Sequence, residues 1–242
     1  MPLTMDVVPE KAVVIRREKR IVAACWYGPW VQRPYVYPFR GPGGCEVTRL
    51  GHPEDPIGHS HHRSIWIAHH DVGGVDFWGE NRKSGRIVVK DIGERVSPGE
   101  RVGALLHLSW QDAAGREILQ ERRRLTFIDL PREELALELD LELRPPPDSP
   151  EPVTLGVTPF GMLGVRVART LRVHDRLGGL IVNSQEGENE ADCFAQHAAW
   201  CDYSGPVPLA PPAGGDGKKR QDGDSLPAVI VGISCFDHPE NG

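Results

Sequence analysis

An all-β chain folded as an antiparallel β-sandwich is predicted by three observations. One strand is written almost wholly in alternating leucine and charge, short turns flank it on the N-terminal side, and glycine and proline are frequent enough to leave helices little room. Over 135–144, Leu135, Leu137, Leu139, Leu141 and Leu143 alternate with Ala136, Glu138, Asp140, Glu142 and Arg144. A period of two puts one face in a core and the other in water. The run 104–110 sets Leu106, Leu108 and Trp110 on one parity against Leu105, His107 and Ser109. Asp112-Ala113-Ala114-Gly115 turns the chain into a strand over 118–128, and Asp129-Leu130-Pro131-Arg132 turns it again into the leucine strand. These three are expected to be neighbours in a meander. The 27 glycines and 22 prolines argue against long helices elsewhere.

In chain order, further strands are expected over 12–15, 21–26, 34–39, 45–49, 63–70, 75–78, 86–92, 153–157, 180–183 and 228–236, each a short apolar-rich run bounded by turn formers. The proline-rich segment 145–150 and the polar segment 210–227 read as surface connections, the second long enough to be mobile. The strand pattern resumes with the same character beyond each, so 1–242 is expected to form a single β-sandwich domain.

The 242 residues suffice to bury a full core. A net charge of -6, from 34 acidic and 28 basic residues mixed along the chain, argues against a nucleic-acid footprint. The runs Arg16-Arg17-Glu18-Lys19-Arg20 and Arg122-Arg123-Arg124 read as solvated strand faces or turns. No stretch approaches the roughly 20 apolar residues of a membrane helix, and the amino terminus lacks the features of a signal peptide. A soluble cytoplasmic protein with no membrane partner is expected. Cys25, Cys45, Cys193, Cys201 and Cys235 are odd in number and never spaced as Cys-x-x-Cys, so reduced, mostly buried thiols are expected.

Six of the ten histidines lie between His52 and His70, a density that marks a functional site or a packed polar interface. Gly73-Gly74 between apolar runs is a hairpin signature. Val72 would then face Val75, Asp71 would face Asp76, His70 would face Phe77 and His69 would face Trp78. Alternation puts His69, Asp71, Asp76, Trp78 and Glu80 on one face, and His70, Val72, Val75 and Phe77 on the other. Two opposed aspartates repel unless a cation, a shared proton, an arginine or water intervenes. An acidic and imidazole face beside an indole suits a divalent metal or a sugar, and the competing expectation is a solvated turn. His59, His61, His69 and Asp71 are the candidate metal ligands. In a straight strand His61 and His69 would stand about 26 Å apart, so shared ligation needs a bend, and the Gly- and Pro-containing stretch 50–60 allows His59 to fold back. His59-Ser60-His61 resembles the His-x-His of cupins, with Ile65 or Trp66 where their glutamate is expected. No nucleophile elbow or phosphate loop is present.

Trp200-Cys201-Asp202-Tyr203-Ser204-Gly205 reads as an aromatic and polar turn that either lines a pocket, with Glu186, Glu190 and His197 upstream, or merely ends a strand. His107 and His174 are isolated and expected to be structural.

Arg33-Pro34-Tyr35-Val36-Tyr37-Pro38, Gly44-Cys45-Glu46-Val47-Thr48-Arg49, His59-Ser60-His61-His62-Arg63-Ser64-Ile65-Trp66 and Gly74-Val75-Asp76-Phe77-Trp78-Gly79-Glu80 together resemble the bacterial PmoA-like family, soluble proteins labelled "methane oxygenase PmoA". The likeness continues at Asp202-Tyr203-Ser204-Gly205 and Phe236-Asp237-His238-Pro239. The resemblance implies a galactose-mutarotase type of supersandwich and a setting in sugar metabolism. It also implies a longer C-terminus than one ending at Gly242.

Three functions compete. The leading expectation is a sugar-modifying, epimerase-like enzyme with His61, His62 and His69 as acid and base groups, Asp76 or Glu80 as carboxylate partner and Arg63 orienting the substrate. The second is a non-catalytic sugar-binding module in which Trp66, Trp78 and Trp200, with Asp202, hold the ligand. The third is a metal-dependent oxygenase built on two histidines and a carboxylate, as the family label suggests.

Overall fold

The computed structural model describes residues 2–51, 59–160, 162–174 and 176–207, together with the backbone of 228–234. The chain divides into two compact units, one comprising Met1–Pro42 and Leu50–Arg166, the other Gly43–Arg49 and Val167–Gly242. Strand pairing in both is antiparallel among the described residues.

In the first unit the strands are, in chain order, β1 (Leu3–Val8), β2 (Ala12–Arg17), β3 (Arg20–Trp26), β4 (Tyr35–Phe39), β5 (Ile65–Ile67), β6 (Arg86–Val96), β7 (Arg101–Gln111), β8 (Glu117–Asp129), β9 (Leu135–Arg144) and β10 (Leu163–Val165). One sheet has the order β1-β2-β3-β4-β5-β10 and the other β6-β7-β8-β9. Both sheets feed one core: Leu3, Ile15, Cys25 and Ile67 from the first, Leu106, Trp110, Leu125 and Phe127 from the second. This is the β-sandwich that the alternating pattern requires, since each sheet has one apolar face to bury. The expected meander is present, with Leu125 opposite Leu139 and Phe127 opposite Leu137.

Alternation also corrects the reading of Arg122-Arg123-Arg124 as a solvated run. Arg122 and Arg124 point outward to Glu142 and Glu94, but Arg123 falls on the inner parity and is buried. Its guanidinium donates to Glu121 at 2.6 and 3.0 Å, and Trp110 Nε1 donates to the same carboxylate at 2.7 Å. Burial in this core pushes the Cys25 thiol up to about 12.

Several expected strands are shorter or replaced. Over 45–49, 75–78 and 153–157 the pairing consists of isolated bridges, Thr48 to Val167, Val72 to Val75 and Val72 to Leu155. The strand expected over 63–70 contracts to β5 because Ser64 sits in the left-handed region at φ 57°, which breaks the extended backbone before Ile65. Neither β1 nor β10 was anticipated. β10 is three residues long and exists only through its pairing with β5.

In the second unit, β11 (Leu180–Asn183), β12 (Trp200–Pro206) and β13 (Ala228–Ser234) form a sheet in that order, with α1 (Asn189–Cys193) between β11 and β12. The expected turn at Trp200–Gly205 is instead its central strand, Asp202 lying opposite both Val182 and Gly232. Partners on both sides outweigh the turn preference of Asp202, Ser204 and Gly205. Asn183 is buried, and its Oδ1 accepts the backbone N–H groups of Gln185 and Gly187. The expected loop 210–227, His52, and the Asp237-His238-Pro239 segment lie outside the described residues. No helix among the described residues is long and apolar enough to cross a membrane.

Candidate functional site

The 59–62 turn closes on itself through His62 N donating to His59 O at 3.1 Å. A Cβ on Gly51 would collide with the carbonyl oxygens of His59 and His62, so glycine lets the turn fold back over the preceding chain. This brings three imidazoles together. The His62 ring lies 4.8 Å from His59, stacked, and 4.4 Å from His61, edge-on. On its other side His62 stacks on Trp66 at 5.1 Å and meets Trp78 edge-on at 5.8 Å, and the two indoles are 5.2 Å apart.

Trp66 is placed by β5 and lies across its β10 partner Gly164, where a Cβ would overlap the indole. Trp66 and Trp78 are 3% and 8% exposed. Trp78 stacks on Phe160, which is 43% exposed and lies 5.6 Å from His70. The result is a strip of rings running from buried indoles to a solvent-facing phenyl.

Arg33 organises the strip. Its guanidinium donates to Phe77 O and Gly79 O, each at 3.1 Å, and to His61 O at 2.8 Å, so one buried side chain ties the histidine turn to the backbone flanking Trp78. Burial lowers its pKa to about 10, against the opposing pull of Glu80. Glu80 lies 3.6 Å from Arg33 and accepts two 3.0 Å bonds from Arg63, whose guanidinium lies over the Tyr35 ring. The Glu80 hydrogen bonds push the Arg63 pKa up.

Geometry places the proton of one histidine, and its surroundings keep another neutral. Arg166 Nη1 lies 2.9 Å from His62 Nδ1. A guanidinium only donates, so Nδ1 is the acceptor and the His62 proton sits on Nε2. His61 is held below the usual imidazole range, first by burial and then by the Arg33 charge, so it is a neutral acceptor at pH 7.

The remaining candidates are placed differently from the sequence expectation. Val72 and Val75 pair as expected, but Phe77 N donates to His69 O at 3.0 Å, one residue off the expected register. The hairpin therefore does not oppose Asp71 to Asp76. Each aspartate serves its own turn: Asp71 Oδ1 accepts Gly74 N, while Asp76 accepts Trp78 N, Gly79 N and the Ser84 hydroxyl. His69 is buried, and its Nδ1 accepts Asp71 N. Phe77 and Trp78, expected on opposite faces, are both buried. Trp200 and Asp202 stand on β12 of the second unit.

His59, His61, His69 and Asp71 were the candidate ligands should a divalent metal bind. Among the described residues no three His, Cys, Asp or Glu side chains converge to hold an ion. The donors present do not fit a metal centre: His59 and His61 pack ring to ring with His62, and His69 and Asp71 are engaged with backbone N–H groups.

Arg33, Arg166 and Phe160 were not singled out from the sequence. Arg166 reaches His62 from 104 residues along the chain, and Phe160 stacks on Trp78 from a similarly distant stretch, proximities no local spacing encodes.

A family model described as a family of unknown function, DUF6807, matches residues 13–242. No curated protein and no solved structure matches the chain.

Proposed function

We propose that this chain, which belongs to the DUF6807 family, is a carbohydrate-active protein that moves protons on a small sugar at the His61–His62 turn, as an aldose epimerase or mutarotase does. The observation that supports this reading is the edge-on pair of adjacent imidazoles: His62 carries its proton on Nε2, and His61 is kept neutral and so can take up a proton.

Mutarotation needs that complement and nothing more. His61 takes the proton of the anomeric hydroxyl and, as imidazolium, delivers it to the ring oxygen, which the His62 Nε2–H holds by a hydrogen bond. The C1–O5 bond breaks and the C1–O1 bond becomes the aldehyde carbonyl. Rotation about C1–C2 and the reverse transfers close the ring as the other anomer, restoring His61. Phe160 offers an exposed ring for the apolar face of the sugar. Glu80, Asp76 and Arg33 shape the turn in this scheme rather than touching the reacting atoms. The proposal extends to a mutarotase-like supersandwich for the first unit and to a cytoplasmic setting.

The exposed Phe160 over buried Trp78 also favours a second reading, a sugar-binding module without turnover. Anomer exchange, followed by NMR on a panel of aldoses, separates the two. The enzyme reading expects accelerated exchange that falls by about 100-fold or more in His62→Ala and His61→Ala. Sugar binding with no acceleration selects the module, and the absence of both sinks the carbohydrate reading.

A further inference from the structure

We infer that the sugar this site takes is acidic, a uronate or related sugar carboxylate. The inference rests on the sugar reading above and adds the charge of the ligand. It is carried by an imbalance of donors over acceptors.

Trp66 Nε1, Trp78 Nε1 and Arg33 Nε are all buried without a hydrogen-bond partner among the described residues. All three atoms can only donate. They share one neighbourhood: both indoles pack against His62, while Arg33 bonds the carbonyls on either side of Trp78 and that of His61. Folded proteins rarely leave a buried N–H unpaired, and three together mark a place where an acceptor belongs.

The acceptors already present there are committed. Both Glu80 oxygens take bonds from Arg63, and Arg33 leans on the same carboxylate, so two guanidiniums share one negative charge. Asp76 is spent on Trp78 N, Gly79 N and Ser84, and Asp71 on Gly74 N. A sugar hydroxyl brings a donor with its acceptors and finds few sites here to receive it. A carboxylate brings acceptors alone, with a charge that strengthens each bond. The exposed Phe160 ring beside this wall favours a carboxylate attached to a sugar over a bare anion.

The test is calorimetric titration of the full chain at fixed ionic strength with two matched pairs, glucose against glucuronate and galactose against galacturonate. Sodium acetate and inorganic phosphate serve as sugar-free anions. At least one uronate is expected to bind about tenfold or more tightly than its neutral parent, the scale of one charge-assisted hydrogen bond. That ratio is expected to collapse toward one in Trp78→Phe, which keeps a ring and removes the N–H, and in Arg63→Gln, at a partly exposed position. Neutral sugars binding as tightly as uronates overturn the inference and leave the sugar reading standing. Acetate or phosphate binding as tightly as a uronate, or no sugar binding at all, overturns both.

Discussion

His61 and His62 are neighbours in sequence, yet their surroundings give them different jobs. Arg166 fixes the proton of one, while burial and the Arg33 charge keep the other deprotonated. The shift at His61 has a consequence for stability. Its folded-state pKa lies below the ordinary imidazole value of 6.5, so the unfolded chain binds the proton more readily. The stabilisation from neutral His61 is therefore complete above pH 6.5 and is lost as pH falls from there toward the folded pKa. Denaturant unfolding measured at steps between pH 7.5 and 5 should show this loss, and His61→Gln should flatten it. An unchanged slope in the variant would remove His61 as the cause. The residue types of this site were readable in advance, because a run of histidines with arginine and tryptophan is conspicuous in any sequence. Their hydrogen-bond partners were not, since no local pattern shows that Asp76 accepts from Trp78 N, Gly79 N and Ser84 or that Glu80 accepts from Arg63.

Among the elements, β8 shows how a strand can carry charge into a core. Glu121 and Arg123 are two apart, so they share the inner face, and Trp110 from β7 completes the group. Truncating Glu121 to Ala leaves the Arg123 guanidinium buried without its counter-charge and is expected to cost about 3–5 kcal/mol. Replacing both residues by leucine should recover most of that, because an apolar pair has no desolvation penalty to offset. Urea unfolding of the single and double variants decides the matter, and a double variant as unstable as the single one contradicts it. On the outer face of the same sheet, Arg122 with Glu142 and Arg124 with Glu94 are solvent-exposed pairs that contribute little. The strand itself was clear from its period of two. The elements that escaped are short ones such as β10, whose three residues have no pattern of their own and are held by a partner far along the chain.

For the whole molecule, topology governs the kinetics. β4 to β5 crosses the 59–62 turn, β5 waits for β10 to close its edge at Ile67 and Leu163, and Leu3 meets Gly99 across the two sheets. Such non-local pairing delays the reward for closing each loop, so refolding of the full chain should occupy milliseconds to seconds or longer. Stopped-flow tryptophan fluorescence reads this directly, and recovery of the whole native signal within microseconds would refute it. The sequence by itself determined the all-β class, the antiparallel meander and the location of the histidine-rich turn, because alternation and turn chemistry are local properties of the chain. Only the tertiary structure decided the division into two units, the central place of β12, the register shift between Asp71 and Asp76, the approach of Arg33 and Arg166 to that turn and the stacking of Phe160 on Trp78. Those depend on which distant segments compete best for one another's hydrogen bonds and apolar surface, and no window of neighbouring residues contains that competition.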